Sequence, residues 1–589
     1  MPFTFEWKDR NKAIGSLVRQ KLSYSCGLPW LGLFCILFAY TLSVIWLHPT
    51  NFFGLTEDDS IYFSSAKALA QGQGYILPSV PGTPPATKYP ILYPWILSLV
   101  WRLNPSFPAN LSGAVAVSVI FGLGYLTLAF VFLRNLKILG NAEILFLTAF
   151  CALHPLVIFY GASVLSDIPF AMLALSAMVL ADRVIQPDAR TASAAFCGLL
   201  AGLSIMMRFF GLSVVAGILV TAIVRRTWRQ LFVFAASAAP FFAGAAWPIL
   251  FPPTAHSPVS GAAASSLGWS HTWTYYTNYL AMWKMSVPNS HVFLEMLKNN
   301  VGMIFRSPAD FFLAPLFVRD TVVGRALVGV VAFATMAGIL RQTRIRGWGP
   351  VHHALLPYSA IILFWNYADA NNRYFLPFWP LFAAGLWAEL KHLIGMVRTP
   401  FIAGGSALEK ILAVSLGTLV FCLGAGTAVN YAAGTRRLMF QKSEARAALL
   451  RGKRGAYDWL SRFAPRDARV IAYDDPSVYL YSGRMAMRPI IFSTDELFAP
   501  ERLKVALKHI GDVPRAIGAQ YWLAADDDFE NEWPDAALSV RNFMGALRLT
   551  LPIVSISPDG RVRIYSLSCL QQPKEASCSS ARQLLLPSD

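Results

Sequence analysis

The segment TEDDSIYFSSAKALAQGQGY, residues 56–75, sets three carboxylates side by side: Glu57, Asp58 and Asp59. Adjacent carboxylates repel, so at least one must hold its proton more tightly unless a cation or metal answers the charge. Such a group is a candidate for chemistry. Its oxygens also suit a hard dication such as Mg or Mn, with Asp58 and Asp59 as the ligands, although no third ligand can be named from the sequence. The plainer alternative is a solvated acidic turn that caps the helix begun by IYFSSAKALA, since acids are favoured at a helix N-terminus. Lys88 is the notable cation later in the same segment.

Three more charged residues stand beside apolar runs. Asp167, in VLSDIPF, lies at an expected membrane edge, where an acid is either functional, paired or a helix cap. Arg208 interrupts two apolar runs and either holds an anion or forms a buried structural ion pair. Arg373, in NNRYFLP, is a candidate anion-binding residue or an Arg snorkelling to the interface. His154 precedes Pro155 and reads as a core histidine at a kink.

These residues need a scaffold, and the composition points to a membrane. The chain has 589 residues, of which 55% are hydrophobic and 14% charged. Soluble domains carry about 25% charged residues. The formal charge of +17 comes largely from short basic strips between apolar runs, which indicates topology and anionic-lipid contact, not nucleic-acid binding. No phosphate-binding glycine loop, dinucleotide fingerprint or zinc-spaced Cys/His set occurs.

Apolar runs fall at 28–47, 112–133, 143–160, 167–185, 193–207, 209–224, 231–251, 321–340, 351–367, 374–390 and 410–431, giving about eleven expected spans. The first is longer than a signal-peptide core and no small-x-small cleavage site follows, so it reads as a retained helix. With a cytoplasmic N-terminus every inside loop is basic, including Arg134 and Lys137, Arg225 and Arg226, and Arg341, Arg344 and Arg346. This places the loops at about 48–110 and 252–320 outside, together with everything after residue 431. The expectation is a multi-pass protein of a bacterial-type inner membrane, with residues 1–431 as an α-helical polytopic membrane domain and 432–589 as an outer α/β domain. RVIAYDD, YWLAADDD and VRIYSL read as strands of that domain, and ERLKVALKHIG as a helix. Trp269, Trp273, Tyr276, Leu280 and Trp283 fall on one helical face. That face reads first as an amphipathic helix in the membrane interface and alternatively as a platform for a sugar ring or lipid chain. Five of the seven cysteines lie in or beside apolar runs; Cys569 and Cys578 lie in the polar tail and form a candidate disulfide if the tail is outside the cytoplasm.

The order of these motifs resembles a family. Asp-Asp-x-x-Tyr ending at Tyr62, Ala-x-x-Leu-Ala-x-Gly-x-Gly-Tyr, then Lys88-Tyr89-Pro and Tyr93-Pro are similar to the first outer loop of integral-membrane GT-C glycosyltransferases. That group includes the lipid A aminoarabinose transferase, the protein O-mannosyltransferases and dolichyl-phosphate-mannose transferase-like bacterial members. HPLVIFYGASVLSDIPF, AGLSIMMRFFGL, NNRYFLPFWP and YLYSGR resemble later segments of the same enzymes in the same order. The resemblance implies a hexosyl- or pentosyltransferase that takes a sugar from a polyprenyl-phosphate-linked donor and passes it to a lipid, glycan or protein acceptor at the outer face. It implies Asp58 as the catalytic carboxylate, a general base that takes the proton of the acceptor nucleophile, with Asp59 as its neighbour and Glu57 outside the motif. Lys88 is similar to a phosphate-contacting lysine, with Tyr89 standing here between it and the proline. Arg373, with Lys88 or Arg208, would steady the lipid phosphate. Tyr62, Tyr89, Asp167 and Tyr374 complete the candidate set. Some relatives use a divalent metal and others do not. The competing class is a lipid or solute transporter or flippase, which would place polar residues near span centres and break helices in matched halves. A non-catalytic scaffold is a further alternative.

Overall fold

The computed structural model describes residues 28–47, 53–54, 56–251, 255–278, 290–313, 321–365, 372–402, 406–440, 444–493, 496, 500–529, 538–543, 545 and 550–568. The basic N-terminal stretch, Leu280, Trp283 and the Cys569–Cys578 pair lie outside the described residues. The chain is mostly helical. In order it forms α1 (Leu28–Trp46), α2 (Glu57–Ala70), α3 (Leu92–Leu103), α4 (Leu111–Asn135), α5 (Asn141–Ala152), α6 (Pro155–Ala162), α7 (Asp167–Val184), α8 (Thr191–Met207), α9 (Gly211–Val224) and α10 (Trp228–Leu250). There follow α11 (Leu267–Thr277), α12 (Ser290–Leu313), α13 (Val322–Arg346), α14 (Pro350–Leu363), a 3₁₀ segment (Asn372–Phe378), α15 (Trp379–Ile402), α16 (Ala407–Phe440) and α17 (Glu444–Phe463). The C-terminal part adds β1 (Arg469–Ile471), α18 (Asp475–Ser482), β2 (Met485–Met487), α19 (Pro500–Lys508), α20 (Asp512–Ala516), β3 (Tyr521–Ala525), β4 (Ile553–Ile556) and β5 (Val562–Ser566).

Among the described residues α1, α4, α10 and α13 are long and apolar enough to cross a membrane. The bent pair α5–α6 makes a fifth if it is one span, and α8 and α9 are shorter apolar helices. The protein is a multi-pass membrane protein. In such a setting helices meet through small residues that let backbones approach. A Cβ on Gly217 would come within 2.3 Å of the Ala354 Cα, which locks α9 to α14. One on Gly338 would meet the Gly385 carbonyl oxygen at 1.8 Å, which does the same for α13 and α15.

Prolines break two of the expected spans. The run 143–160 is two helices bent by 55°. Pro155 cannot continue the ladder of α5, and it sits at the start of α6 behind His154, whose Nδ1 accepts from the Leu156 N–H at 3.1 Å. The other His154 nitrogen meets the Phe311 carbonyl at 2.7 Å, so the ring is a core ring spoken for on both sides. The run 374–390 starts instead as the 3₁₀ segment, and α15 begins only at Trp379. Pro377 has no N–H for the Arg373 carbonyl four residues back, which keeps that segment from closing as an α-helix.

The C-terminal strands form one sheet in the order β2-β1-β3-β5-β4. β1 runs parallel to both β2 and β3, whereas β5 is antiparallel to β3 and β4. Helix α18 packs on α2, and the Ala486 N–H of β2 donates to the Ser79 carbonyl at 2.8 Å, so the sheet is joined to the segment after the acidic triplet. The face at Trp269 departs from both expectations. Trp269 and Tyr276 are buried against Ile61, Leu77 and Val80 and against Ile490, Ile510 and Val513. Helix α11 ends at Thr277 and packs on α20. Its aromatic face is used up in holding the loops to the C-terminal part, because covering that protein surface removes more apolar area from water than a half-immersed interface position.

Candidate active site

The acidic triplet occupies the first turn of α2. Thr56 is extended (φ −119°, ψ 129°), so the helix starts at Glu57 and its first turn carries all three acids. The free N–H groups there favour negative charge, but a helix advances its side chains by about 100° per residue, so three neighbours cannot face one way. Asp59 turns inward. It is 2% exposed, and its Oδ2 accepts from the Gly54 N–H at 3.0 Å. Burial pushes its pKa well above the usual carboxylate range; the Gly54 and Ser60 amides oppose that push and the Asp58 charge adds to it.

Asp58 faces the opposite situation. The Tyr89 hydroxyl donates to its Oδ1, Lys88 Nζ lies 3.8 Å from the same oxygen, and Arg373 Nη2 lies 3.5 Å from Oδ2. Burial alone would raise its pKa, but Lys88, Arg373, the Tyr89 hydroxyl and the more distant Arg208 outweigh burial and hold it below its ordinary value. Two neighbouring acids are thus shifted in opposite directions. Arg208 stands extended between α8 and α9 (φ −153°, ψ 142°) and reaches Asp167, the first residue of α7, at 2.5 Å. Arg373 Nε is 3.9 Å from the same Asp167 oxygen. Asp167 therefore joins two guanidinium groups, and one of these carries the network to Asp58.

The tyrosines wall this network. Tyr62, one turn beyond Asp58, is 1% exposed; its hydroxyl meets Ser166 Oγ at 2.8 Å, and its ring packs on Tyr89 and Tyr93. The Tyr374 ring lies 5.4 Å from the Arg208 guanidinium carbon and 5.3 Å from that of Arg373, within cation–π reach of both. These rings fix the guanidinium planes and keep the local dielectric low, which strengthens each charge–charge contact.

Two participants escaped the sequence reading. The Tyr275 hydroxyl, from α11, donates to Glu57 Oε1 at 2.9 Å and receives a hydrogen bond from Lys88 Nζ. Arg488, just after β2, places Nη2 2.7 Å from Glu57 Oε2, while its Nε donates to the Tyr473 carbonyl at 3.0 Å. Glu57 is thus the joint between α2, the second long loop and the C-terminal sheet. Helical spacing pointed to Tyr276 and passed over its neighbour, and Arg488 carried no signal beyond being a cation in an apolar segment. Both are brought in by tertiary contact.

Every candidate position has a definite place. Asp58, Lys88, Tyr89, Arg373, Tyr374, Arg208, Asp167, Tyr62 and Glu57 form one connected cluster, and Asp59 lies behind it. The side chains of Lys88, Glu57 and Arg373 stay 14% exposed and that of Asp58 17%, so the cluster is largely desolvated yet reachable. It brings four cations, Lys88, Arg208, Arg373 and Arg488, to four carboxylates, Glu57, Asp58, Asp167 and the buried Asp475, whose Oδ1 lies 3.9 Å from Arg488 Nε, so the formal charges balance. A dication at Asp58 and Asp59 does not fit this arrangement. The two carboxylates point apart, Asp58 already faces cations, and no group of three or more His, Cys, Asp or Glu suited to a metal occurs among the described residues.

No family model and no curated protein matches the chain. Among solved structures it is similar to ArnT from Cupriavidus metallidurans bound to undecaprenyl phosphate, at 14% identity over 89% of this chain and 97% of that one, with a TM-score of 0.49. ArnT from the same organism in the apo state matches at 14% identity over 92% and 98%, with a TM-score of 0.46. The oligosaccharyltransferase of Archaeoglobus fulgidus in its apo form matches at 13% identity over 86% and 71%, with a TM-score of 0.44.

Proposed function

We propose that this protein is a GT-C-type glycosyltransferase that moves a sugar from a polyprenyl-phosphate-linked donor to an acceptor, with Asp58 as general base. The observation that carries the reading is the desolvated cluster in which Lys88, Arg373 and the Tyr89 hydroxyl surround an Asp58 held below its ordinary pKa. A polyprenyl-phospho-sugar is a phosphodiester with one negative charge, which Lys88 and Arg373 are placed to meet beside Asp58. The motif order read from the sequence points to the same chemistry. With the N-terminus in the cytoplasm, the cluster lies on the outer side, where the donor tail enters sideways from the bilayer.

In the reaction the acceptor oxygen or nitrogen attacks the anomeric carbon and a new bond forms there. The bond from that carbon to the phosphate oxygen breaks, and its electron pair stays on the phosphate. The acceptor proton passes to Asp58. Arg373 and Lys88 take the charge that builds on the leaving phosphate, with Arg208 behind them, an electrostatic role that a dry, fixed site makes effective. A carboxylate held at low pKa is a weak base, and donor binding corrects this. The phosphate draws Arg373 and Lys88 toward itself and adds its own negative charge, and both changes raise the Asp58 pKa once the donor is in place. Charges gathered at helix ends and in loops suit surface chemistry better than the mid-span polar residues of a transporter.

The test is transfer by the purified full chain from a synthetic short-tail polyprenyl-phospho-sugar, read by mass spectrometry of the released polyprenyl phosphate. Release that depends on acceptor and is lost in Asp58→Asn supports the reading. Equal transfer from a nucleotide sugar with no lipid carrier refutes the donor assignment.

A further inference from the structure

The two helices that hold the Asp167–Arg208 pair carry a second Arg–Asp pair at their far ends. Asp182 lies fifteen residues after Asp167 on α7, about 22 Å along the axis at 1.5 Å per residue. Arg225 follows α9, just as Arg208 precedes it. Arg225 Nη2 meets Asp182 Oδ1 at 2.7 Å, and its Nη1 donates to the Asp182 and Ile185 carbonyls at 3.3 and 3.2 Å. Beside this pair lies a cavity of about 70 Å³, lined also by Gln342, Arg346, Trp348 and His352.

Gln342 is 2% exposed, and neither its Nε2 nor its Oε1 finds a hydrogen-bond partner among the described residues. A buried amide left unpaired costs about 1–3 kcal/mol, so a side chain of this kind on a cavity wall points to something polar that it meets there. His352 agrees. Its Nδ1 accepts from the Gly349 N–H at 3.1 Å, which leaves the proton of the neutral ring on Nε2, and Nε2 too lacks a partner among the described residues. The cavity also faces the start of α14, where Pro350 has no N–H and the Gly349 N–H is taken by His352 Nδ1, which leaves the Val351 and His352 N–H groups without an intrahelical acceptor. Arg346, exposed at the end of α13, adds a guanidinium that forms no ion pair among the described residues. The wall thus offers donors and positive charge, and its acid, Asp182, is occupied by Arg225. That chemistry selects an anion with several acceptor oxygens. The size fits a single phosphate group and is below the roughly 300–1,000 Å³ of pockets for larger ligands.

We propose that this cavity is a phosphate-binding site, at the opposite end of α7 and α9 from the candidate active site. The topology read from the sequence puts it at the cytoplasmic surface, where both phospholipid headgroups and free phosphate compounds are at hand. The shared chemistry is a phosphate held by Gln342, the His352 Nε2–H, Arg346 and the start of α14.

The experiment uses full-length protein in detergent with Arg373→Gln, which removes a phosphate contact from the Asp58 cluster. Three probes are titrated: inorganic phosphate, dihexanoyl phosphatidic acid and dihexanoylglycerol, with native mass spectrometry and thermal shift as readouts. Phosphatidic acid is expected to bind, and adding Gln342→Leu or Arg346→Gln is expected to weaken it about tenfold each, the usual scale for one charge-assisted hydrogen bond. Arg346 is exposed, so its variant keeps the test valid if the Gln342 variant fails to fold. Binding of both phosphate probes identifies a site for free phosphate compounds, and binding of phosphatidic acid alone identifies a lipid headgroup site. Equal binding of dihexanoylglycerol, binding of neither phosphate probe, or affinity unchanged in Arg346→Gln overturns the proposal.

Discussion

Replacing Asp58 by Asn separates a base from a binding or structural residue. Asparagine keeps the size of the side chain and can still accept from the Tyr89 hydroxyl, but it removes the negative charge that Lys88 and Arg373 face. A charge pair at about 4 Å carries roughly 4 kcal/mol at an effective dielectric of 20 before desolvation is counted. Lys88 at 3.8 Å and Arg373 at 3.5 Å are both in that range. In the native protein part of this attraction is given up when the two cations turn to the donor phosphate. In Asp58→Asn nothing is given up, so the KM for the donor stays equal or falls. The turnover loses its proton acceptor, and kcat falls by about 10²–10⁴, or about 2.7–5.4 kcal/mol of barrier. The assay is steady-state release of polyprenyl phosphate over a range of donor concentrations, beside a melting curve of the same sample. A kcat within about fivefold of the parent sinks the base assignment, since even a modest general base contributes about 10². A raised KM with unchanged kcat makes Asp58 a ground-state binding residue instead.

Other expectations follow from the same charges. The acid limb of kcat/KM reports Asp58 in the free enzyme and lies below the ordinary carboxylate range, while the limb of kcat reports the donor complex and lies higher; coincident limbs in the two profiles refute donor-coupled tuning. Asp59 has a raised pKa, so the unfolded chain loses that proton first; stability from this group is present at low pH and drains away as pH rises from the unfolded value toward the folded one. Asp59→Asn should therefore melt higher than the parent at pH 7, gain less at pH 4 and keep its kcat, as calorimetry and turnover will show. Asp528, near Lys453 and Asp474, is pushed up to about 8 chiefly by burial, with Asp474 and Asp527 adding to it and Lys453 opposing. The same sign applies, so the stability it lends falls as pH climbs from about 4 to 8, and Asp528→Asn should flatten that part of the melting profile. Arg488→Gln breaks a buried contact with Glu57 and should lower the melting temperature. Loss of that joint lets Lys88 drift, and kcat/KM falls by about tenfold to a hundredfold. Partial rescue by Arg488→Lys, with the pH profile restored, separates positioning from mere destabilisation.

The apolar runs, basic strips and punctuating prolines were enough to announce a multi-pass membrane protein and to mark Asp58, Lys88, Arg208 and Arg373 as residues out of place in it. Those signals are local: an apolar run, a charge beside it and a proline each act within a few residues. A sequence does not say which way three adjacent carboxylates turn. Helical geometry separates them, but only the surrounding chain decides that Asp59 meets the Gly54 amide in a dry pocket while Asp58 meets Lys88 and Arg373. The same holds for α11. Its spacing showed an apolar face, and only packing showed that α20 and the C-terminal core cover it where a membrane interface had been expected. Tyr275 and Arg488 stand 218 and 431 residues from Glu57 along the chain. Charge pairing depends on distance in space, and the fold that closes those distances is set by burial summed over the whole chain. The residue types were therefore written in the sequence, whereas the direction of their pKa shifts and their partners were decided by tertiary structure.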